Sequence, residues 1–307
     1  MLLWVLSVLV FVFADLAPGD FLEQAQLDPR MNPELLQQLR SSFGLDAPLH
    51  IRYARWVGSI LKGDGGYSLA YRRPVFELLW PRLLNTLMLT TGALILSWTA
   101  ALILGFLSAV MQGGSLDRVV LLLTTGLLII PEILLALAGL WLAVYAGFPL
   151  GGTISLDYQD LSGWQRFEDR LRHLVIPVTV LTLAGLPNLV RHVRSAVVGA
   201  LEEPYVQAAR GHGLYGLRFW IGYVLPAAAN PLITLFGVCL GALISGGMVV
   251  EAVLGWPGLG PMLIESALNG DLHVFNAGLM AGCACLIFGN FLADLLLSLV
   301  DPRMEET

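Results

Sequence analysis

Residues 202 to 231 read EEPYVQAARGHGLYGLRFWIGYVLPAAANP. This is the longest polar break in the C-terminal half of an otherwise apolar chain. It opens on the acidic pair Glu202 and Glu203. It places small residues at Ala208, Ala209, Gly211 and Gly213, and it closes on Leu225 and Pro226. Pro204 suits the first position of a helix, where its missing N–H costs nothing. The acidic pair stands at the start of that helix, where the dipole favours negative charge. The pattern predicts a short helix, a glycine turn and the entry to a new apolar helix.

The chain around this stretch has 307 residues, of which 56% are hydrophobic and 13% charged. Its mean hydropathy is +0.74. That balance belongs to a polytopic membrane protein rather than a soluble globule. The formal charge of −6 is small for this length. Lys62 is the one lysine, the other basic residues are arginines, and no basic run suggests a nucleic-acid partner. Cys239, Cys283 and Cys285 all lie in apolar segments and read as packing residues. No metal site is expected. The histidines are scattered, so no catalytic constellation is readable. No phosphate loop or dinucleotide fingerprint occurs, so any ATP chemistry would belong to another chain.

The apolar runs give an all-α membrane protein with six spans, at about 1–16, 83–111, 119–146, 174–198, 229–254 and 274–300. Residues 17–82 form a polar, mixed segment and 201–228 a polar connection. No internal repeat is visible, and 1–307 reads as one domain. The run from Leu2 to Leu16 reaches roughly 24 Å, short of a hydrocarbon core of about 30 Å. Three readings fit it: a tilted first span, the end of a span that starts upstream, or a signal peptide lacking its basic region. In the segment 17–82, Asn32 and Pro33 can open a helix that stops at Gly44. HIRYARWVGSILKG spaces Tyr53, Trp56, Val57 and Ile60 as on one helix face, which predicts a helix lying on the membrane surface.

Charge counting leaves the orientation open. With both termini inside, the inner side holds Arg118, Arg191, Arg194, Arg210, Arg218 and Arg303, and the outer side holds the remaining eleven basic residues. Eight of those lie between Arg30 and Arg82, in a loop slightly longer than the roughly 60 residues over which the positive-inside rule works well.

The spacing inside the central stretch is more informative. Gln207-Ala208-Ala209, then Gly213, then Leu225-Pro226 follows the pattern EAA, three residues, G, nine residues, I, one residue, LP. This resembles the signature of the membrane subunits of binding-protein-dependent ABC importers. PGD at 18–20, FGLDAPLHIRYARWVGSILKGDGGYS at 43–68, RHLVIPVTVLT at 172–182, ARGHGL at 209–214, GGMVVEAVLGWPGLG at 246–260 and DLLLSLVDPR at 294–303 resemble the dipeptide, oligopeptide and nickel permeases, in order and nearly throughout. The chain departs from the pattern at Gln207, where glutamate is usual, at Tyr223, where isoleucine is usual, and in its short first helix.

The resemblance implies the type I ABC importer permease fold, in a prokaryotic inner membrane with both termini in the cytoplasm. It implies that 17–82 is an outer segment and that 201–228 carries a coupling helix that sits on an ATPase. Glu203, Tyr205, Val206, Gln207, Ala208, Ala209, Gly213 and Leu214 would form that dock, the small residues allowing close approach and Tyr205, Val206 and Leu214 anchoring it. The implied partners are a second related permease, two cytoplasmic ATPases and an extracytoplasmic substrate-binding protein. ATP and magnesium would be bound by the ATPase, so this chain is a translocation subunit without cofactor or catalytic residues. Peptides are the commonest cargo of the resembled family, with nickel, glutathione and sugars among its relatives.

The residues themselves nominate four pathway candidates. Glu132 follows Pro131 near mid-span, where a carboxylate costs roughly 2.5–3.5 kcal/mol on insertion scales. It would line the pathway and touch a cationic or peptide substrate, or bond internally to Asn188 or Ser245. Glu251 lies near the outer end of the fifth span, as a gate, a binding-protein contact or a local structural group. Asn290 and Asp294 share one face of the last span, for interhelical hydrogen bonds or substrate contact. Arg191 and Arg194 would anchor the exit of the fourth span on lipid phosphate or nearby acids. Two other classes remain open on these residues. A self-sufficient secondary transporter would show repeats and coupling-ion sites. An intramembrane enzyme would need paired catalytic groups at one depth.

Overall fold

The computed structural model describes residues 2–16, 47–68, 70–242 and 245–300. The fold is helical, with one short antiparallel hairpin, β1 (Tyr67–Ser68) and β2 (Arg73–Pro74). The helices are α1 (Leu2–Leu16), α2 (Leu49–Leu61), α3 (Val75–Val110), α4 (Ser115–Ile129), α5 (Glu132–Ala146) and α6 (Gly163–Glu202). They continue with α7 (Pro204–Gly211), α8 (Leu217–Gly241), α9 (Met248–Val253), α10 (Leu259–Leu268) and α11 (Leu272–Val300). The predicted helix from Asn32 to Gly44 lies outside the described residues.

Among the described residues, four helices are long and apolar enough to cross a membrane: α3, α6, α8 and the Leu272–Leu292 part of α11. The pair α4 and α5 adds a fifth when it is counted as one span. The span expected over 119–146 is broken at Pro131, as that residue's place in the apolar run predicts. It bends by 97° at Ile130 and Pro131, both extended. Proline cannot donate the interior hydrogen bond, and it pushes the residue before it out of the helical region. The expected span at 83–111 starts earlier, at Val75, and the one at 174–198 extends to Gly163–Glu202. Ser162 and Gln165 start this long α6 with a capping box, the Ser162 N–H donating to Gln165 Oε1 at 2.9 Å. The span expected at 229–254 is also shifted: α8 begins at Leu217, inside the expected 201–228 connection, and stops at Gly241, with α9 separate.

The chain divides into two compact units. One holds residues 1–86 and 257–285. In it, the aromatic face of α2 packs against α1. Phe11 meets Tyr53 and Trp56 at ring-centroid distances of 5.5 and 5.6 Å, and Ser7 Oγ and the Tyr53 hydroxyl share a 2.7 Å hydrogen bond. Asp271 caps α11 through the Val274 N–H at 3.2 Å and accepts the Ser68 hydroxyl at 2.6 Å, which ties the hairpin down. The Thr86 hydroxyl accepts the Leu259 N–H at 2.8 Å, and the Asn85 amide donates to the Pro257 carbonyl at 2.9 Å.

The other unit holds residues 87–256 and 286–307. Its main core is built by Trp98 and Ala101 of α3, Val190, Val193 and Val197 of α6, Val206 of α7, and Phe219, Val224 and Ala228 of α8. Gly105 lets α3 approach α6: a Cβ there would lie 2.7 Å from the Cβ of Val193 and 2.9 Å from the Val190 carbonyl oxygen. A second cluster joins Ala136 and Ala143 of α5 to Ile176 and Val180 of α6 and Val250 of α9.

Candidate coupling surface and membrane cavity

The central stretch folds as its residues predict. Glu203 is extended, Pro204 opens α7, and the helix ends at Gly211. His212 is the cap, followed by Gly213 at φ +81°. The Gly213 N–H donates to the Arg210 carbonyl at 3.0 Å and the Leu214 N–H to the Ala209 carbonyl at 3.2 Å. This is the glycine-terminated cap in which only the residue after the cap turns left-handed. No heavy atom of this chain lies within 4 Å of a Cβ built on Gly213, so within the chain the position calls for glycine through its backbone angle. Leu214 then folds back onto the core.

The two faces of α7 differ. Val206 is 1% exposed and Ala209 6%, both packed in the core with Val197, Ala200 and Phe219. Val206, expected as an anchor of the dock, and Ala209, expected to allow close approach to it, instead hold α7 to α6 and α8. The free face carries Glu203, Tyr205, Gln207, Ala208 and Arg210, with Tyr205 51% exposed. Gln207 Nε2 donates to the Glu202 carbonyl at 3.2 Å, a bond that a glutamate could not make when ionised. After Gly216, α8 starts with a π turn over Trp220–Val224. Trp220 there meets Phe106 of α3 edge-on at 5.1 Å.

One ion pair that sequence spacing does not reveal fixes the neighbouring turn between α3 and α4. Asp117 is 3% exposed. Arg194 donates to it twice, from Nε at 2.8 Å and Nη2 at 2.9 Å. The Gly113 N–H donates at 2.8 Å and the Ser108 hydroxyl also donates. Arg194 therefore anchors on an acid, one of its two expected partners. Arg191 Nη2 donates to the Thr125 hydroxyl at 2.8 Å. The partners of Arg194 and Arg191 lie 77 and 66 residues away, which is why neither could be named from sequence.

Further along α6, a cavity of about 390 Å³ lies among α3, α5, α6 and α8. Its polar lining includes Thr90, Ser97, Glu132, Asn188 and His192. Glu132 is not in mid-helix as its position in an apolar run predicts. It is the first residue of α5, just past the break. Its Oε1 is buried and has no hydrogen-bond partner among the described residues, although Asn188 shares the cavity. The side chain of Ser245, its other expected partner, lies outside the described residues.

The remaining candidates separate from Glu132. Glu251 is completely buried on α9, with its backbone carbonyl accepting the Trp256 N–H at 2.8 Å. Asn290 packs against α8, its Oδ1 filling the space a Cβ on Gly241 would take. Asp294 is exposed, one turn along. Neither Asn290 nor Asp294 lines the cavity.

Comparison with known proteins follows the same pattern. The oligopeptide transport system permease protein AppB of Bacillus subtilis (strain 168) is 33% identical over 98% of this chain and 94% of its own length. The di/tripeptide transport system permease protein DppB of Pseudomonas aeruginosa (strain UCBPP-PA14) is 30% identical over 97% and 94%. The dipeptide transport system permease protein DppB of Escherichia coli (strain K12) is 30% identical over 98% and 94%. Among solved structures, a chain of the inward-facing MetNI methionine ABC transporter (CY5 native crystal form) superposes with a TM-score of 0.58 at 22% identity. The match covers 74% of this chain and 97% of that one, a likeness of fold. A profile for binding-protein-dependent transport system inner membrane components matches residues 101–306, and with these relatives it makes the chain a member of that family.

Proposed function

We propose that this chain is the translocating subunit of an ATP-driven importer of short peptides, with α7 docked on a cytoplasmic ATPase. The cargo class rests on the relatives, which are named as oligopeptide, dipeptide and di/tripeptide permeases. The docking role rests on one observation. The inward face of α7 is locked into the α6–α8 core through Val206 and Ala209, while its outward face stays exposed. A push on the exposed face is then carried into two membrane helices at once, because packed helices move as bodies.

In this reading α7 and both termini are cytoplasmic. The chain pairs with a second related permease, two ATPases and an extracytoplasmic binding protein. ATP binding draws the ATPases together, turns the helices outward and receives cargo from the binding protein, and hydrolysis resets them. The chemistry of ATP and magnesium belongs to the ATPases. Ala208→Arg tests the dock, because it adds bulk and charge to the exposed face alone. Peptide uptake should fall at least about tenfold with normal membrane levels, the loss expected when a close interface is forced apart. Unchanged uptake, together with failure to co-purify any ATPase, overturns the proposal. Uptake that persists without ATPases and follows an ion gradient would establish a secondary transporter instead.

A further inference from the structure

Among the described residues, the lining of the cavity beside α6 carries a carboxylate and no lysine or arginine. Glu132 Oε1 is buried there without a partner among the described residues. A bare carboxylate at membrane depth is costly unless a positive group or a donor meets it. The other polar groups of the lining are mixed, with donors on Thr90, Asn188 and Cys239. The Ser97 hydroxyl spends its proton on the Leu94 carbonyl at 3.1 Å. His192 Nδ1 faces the Asn188 carbonyl at 2.7 Å. A carbonyl only accepts, so that nitrogen carries the proton, and in the neutral ring the other nitrogen is an acceptor. Asn188 contributes a mixed amide, and the remaining wall is mainly apolar, with Ala93, Leu181 and Leu235. At about 390 Å³ the space is at the lower end of ligand pockets, which run to about 300–1,000 Å³.

A pocket with a single acid, and no lysine or arginine among the described residues that line it, fits a group that brings N–H donors and a positive charge. We propose that Glu132 binds the ammonium group of the passing peptide, so that the permease itself, and not only the binding protein, selects cargo with a free amine. The peptide's first side chain then packs on the apolar wall, and Asn188 is placed to meet its first amide. This rests on the reading of the chain as a peptide importer. The break at Pro131 matters to it, because it puts Glu132 at the start of α5 and not inside a continuous helix.

The test is uptake into proteoliposomes holding the complete transporter, with binding protein, for wild type, Glu132→Gln and Glu132→Asp. The peptides are Ala-Ala, N-acetyl-Ala-Ala and N-acetyl-Ala-Lys. The ratio of variant to wild-type uptake for each peptide cancels the preference of the binding protein. For Glu132→Gln the ratio should fall about tenfold or more for Ala-Ala, the loss expected for a charge-assisted bond. It should fall less than about twofold for N-acetyl-Ala-Ala, and Glu132→Asp should restore most Ala-Ala uptake. A tenfold loss for N-acetyl-Ala-Lys as well shows that a side-chain ammonium is accepted, while no loss restricts the site to the amino terminus. Equal ratios for Ala-Ala and N-acetyl-Ala-Ala overturn the proposal, whether both fall or neither does. A wild-type transporter that imports none of the three overturns the peptide reading itself, and this proposal with it.

Discussion

Helix α6 presents two unlike faces. Along Val190, Val193 and Val197 it is closed, packed so tightly on α3 that only glycine fits at Gly105. Along Leu181, Gly185, Asn188 and His192 it lines a cavity, and a Cβ on Gly185 would meet nothing within 4 Å. Each face has its acid. Asp117 receives Arg194 twice, an amide and a hydroxyl. Glu132 Oε1 receives nothing among the described residues. A carboxylate whose lone pairs are filled by its own chain is part of the frame. One held in a cavity with an empty oxygen is available to something that arrives from outside.

Asp117→Asn should have the largest effect, because it leaves Arg194 without its counter-charge. A loss of about 3 kcal/mol is expected, measured as a lower melting temperature of the purified protein. Glu132→Gln should lower it not at all, since it removes a charge that the fold does not neutralise. Equal thermal losses for the two variants would break the contrast. Gly105→Ala comes next, at about 1–3 kcal/mol, because the Val190 backbone cannot move aside. Gly185→Ala should stay within about 0.5 kcal/mol, its methyl entering open space.

A third acid stands between these extremes. The Tyr71 phenol donates to Glu265, and burial, followed by that carboxylate, pushes its pKa from 10.0 to about 12. The folded value lies above the unfolded one, so the bond stabilises fully below about pH 10 and is lost as pH rises toward 12. A phenolate absorbance titration should show one tyrosine ionising late, and Tyr71→Phe should remove it. Gln207→Glu should be the mildest change. It exchanges an exposed 3.2 Å hydrogen bond for the glutamate usual at this position, and ATPase stimulation should stay within about twofold.

Much of this was readable in the sequence. Long apolar runs mark the helices, and the spacing of Gln207, Gly213 and Pro226 marks α7 and its exit. The sequence marks Pro131 as a break, but could not show that it turns the chain through 97°. Pro81, Pro177, Pro187 and Pro231 lie inside continuous helices, whereas Pro131 ends one. A proline removes the same hydrogen bond at each place, and what differs is whether neighbouring helices hold the strained turn together. Nor could it divide α7 into an inner and an outer face. Ala208 and Ala209 are adjacent and alike, and only packing against Val197 and Phe219 sets them apart. The pairing of Asp117 with Arg194 spans 77 residues, and no local pattern carries it.

The break at Pro131 also bears on how the chain is made. Each arm, α4 and α5, has 15 residues, about 22 Å of helix, and falls short of a hydrocarbon core of about 30 Å. Neither arm is long enough to cross the core by itself, so the two are expected to enter the membrane together, with Glu132 at their joint. Lengthening α4 by one apolar turn should let it stop early, and trapped ribosome-bound chains cut just after Ile130 would show it.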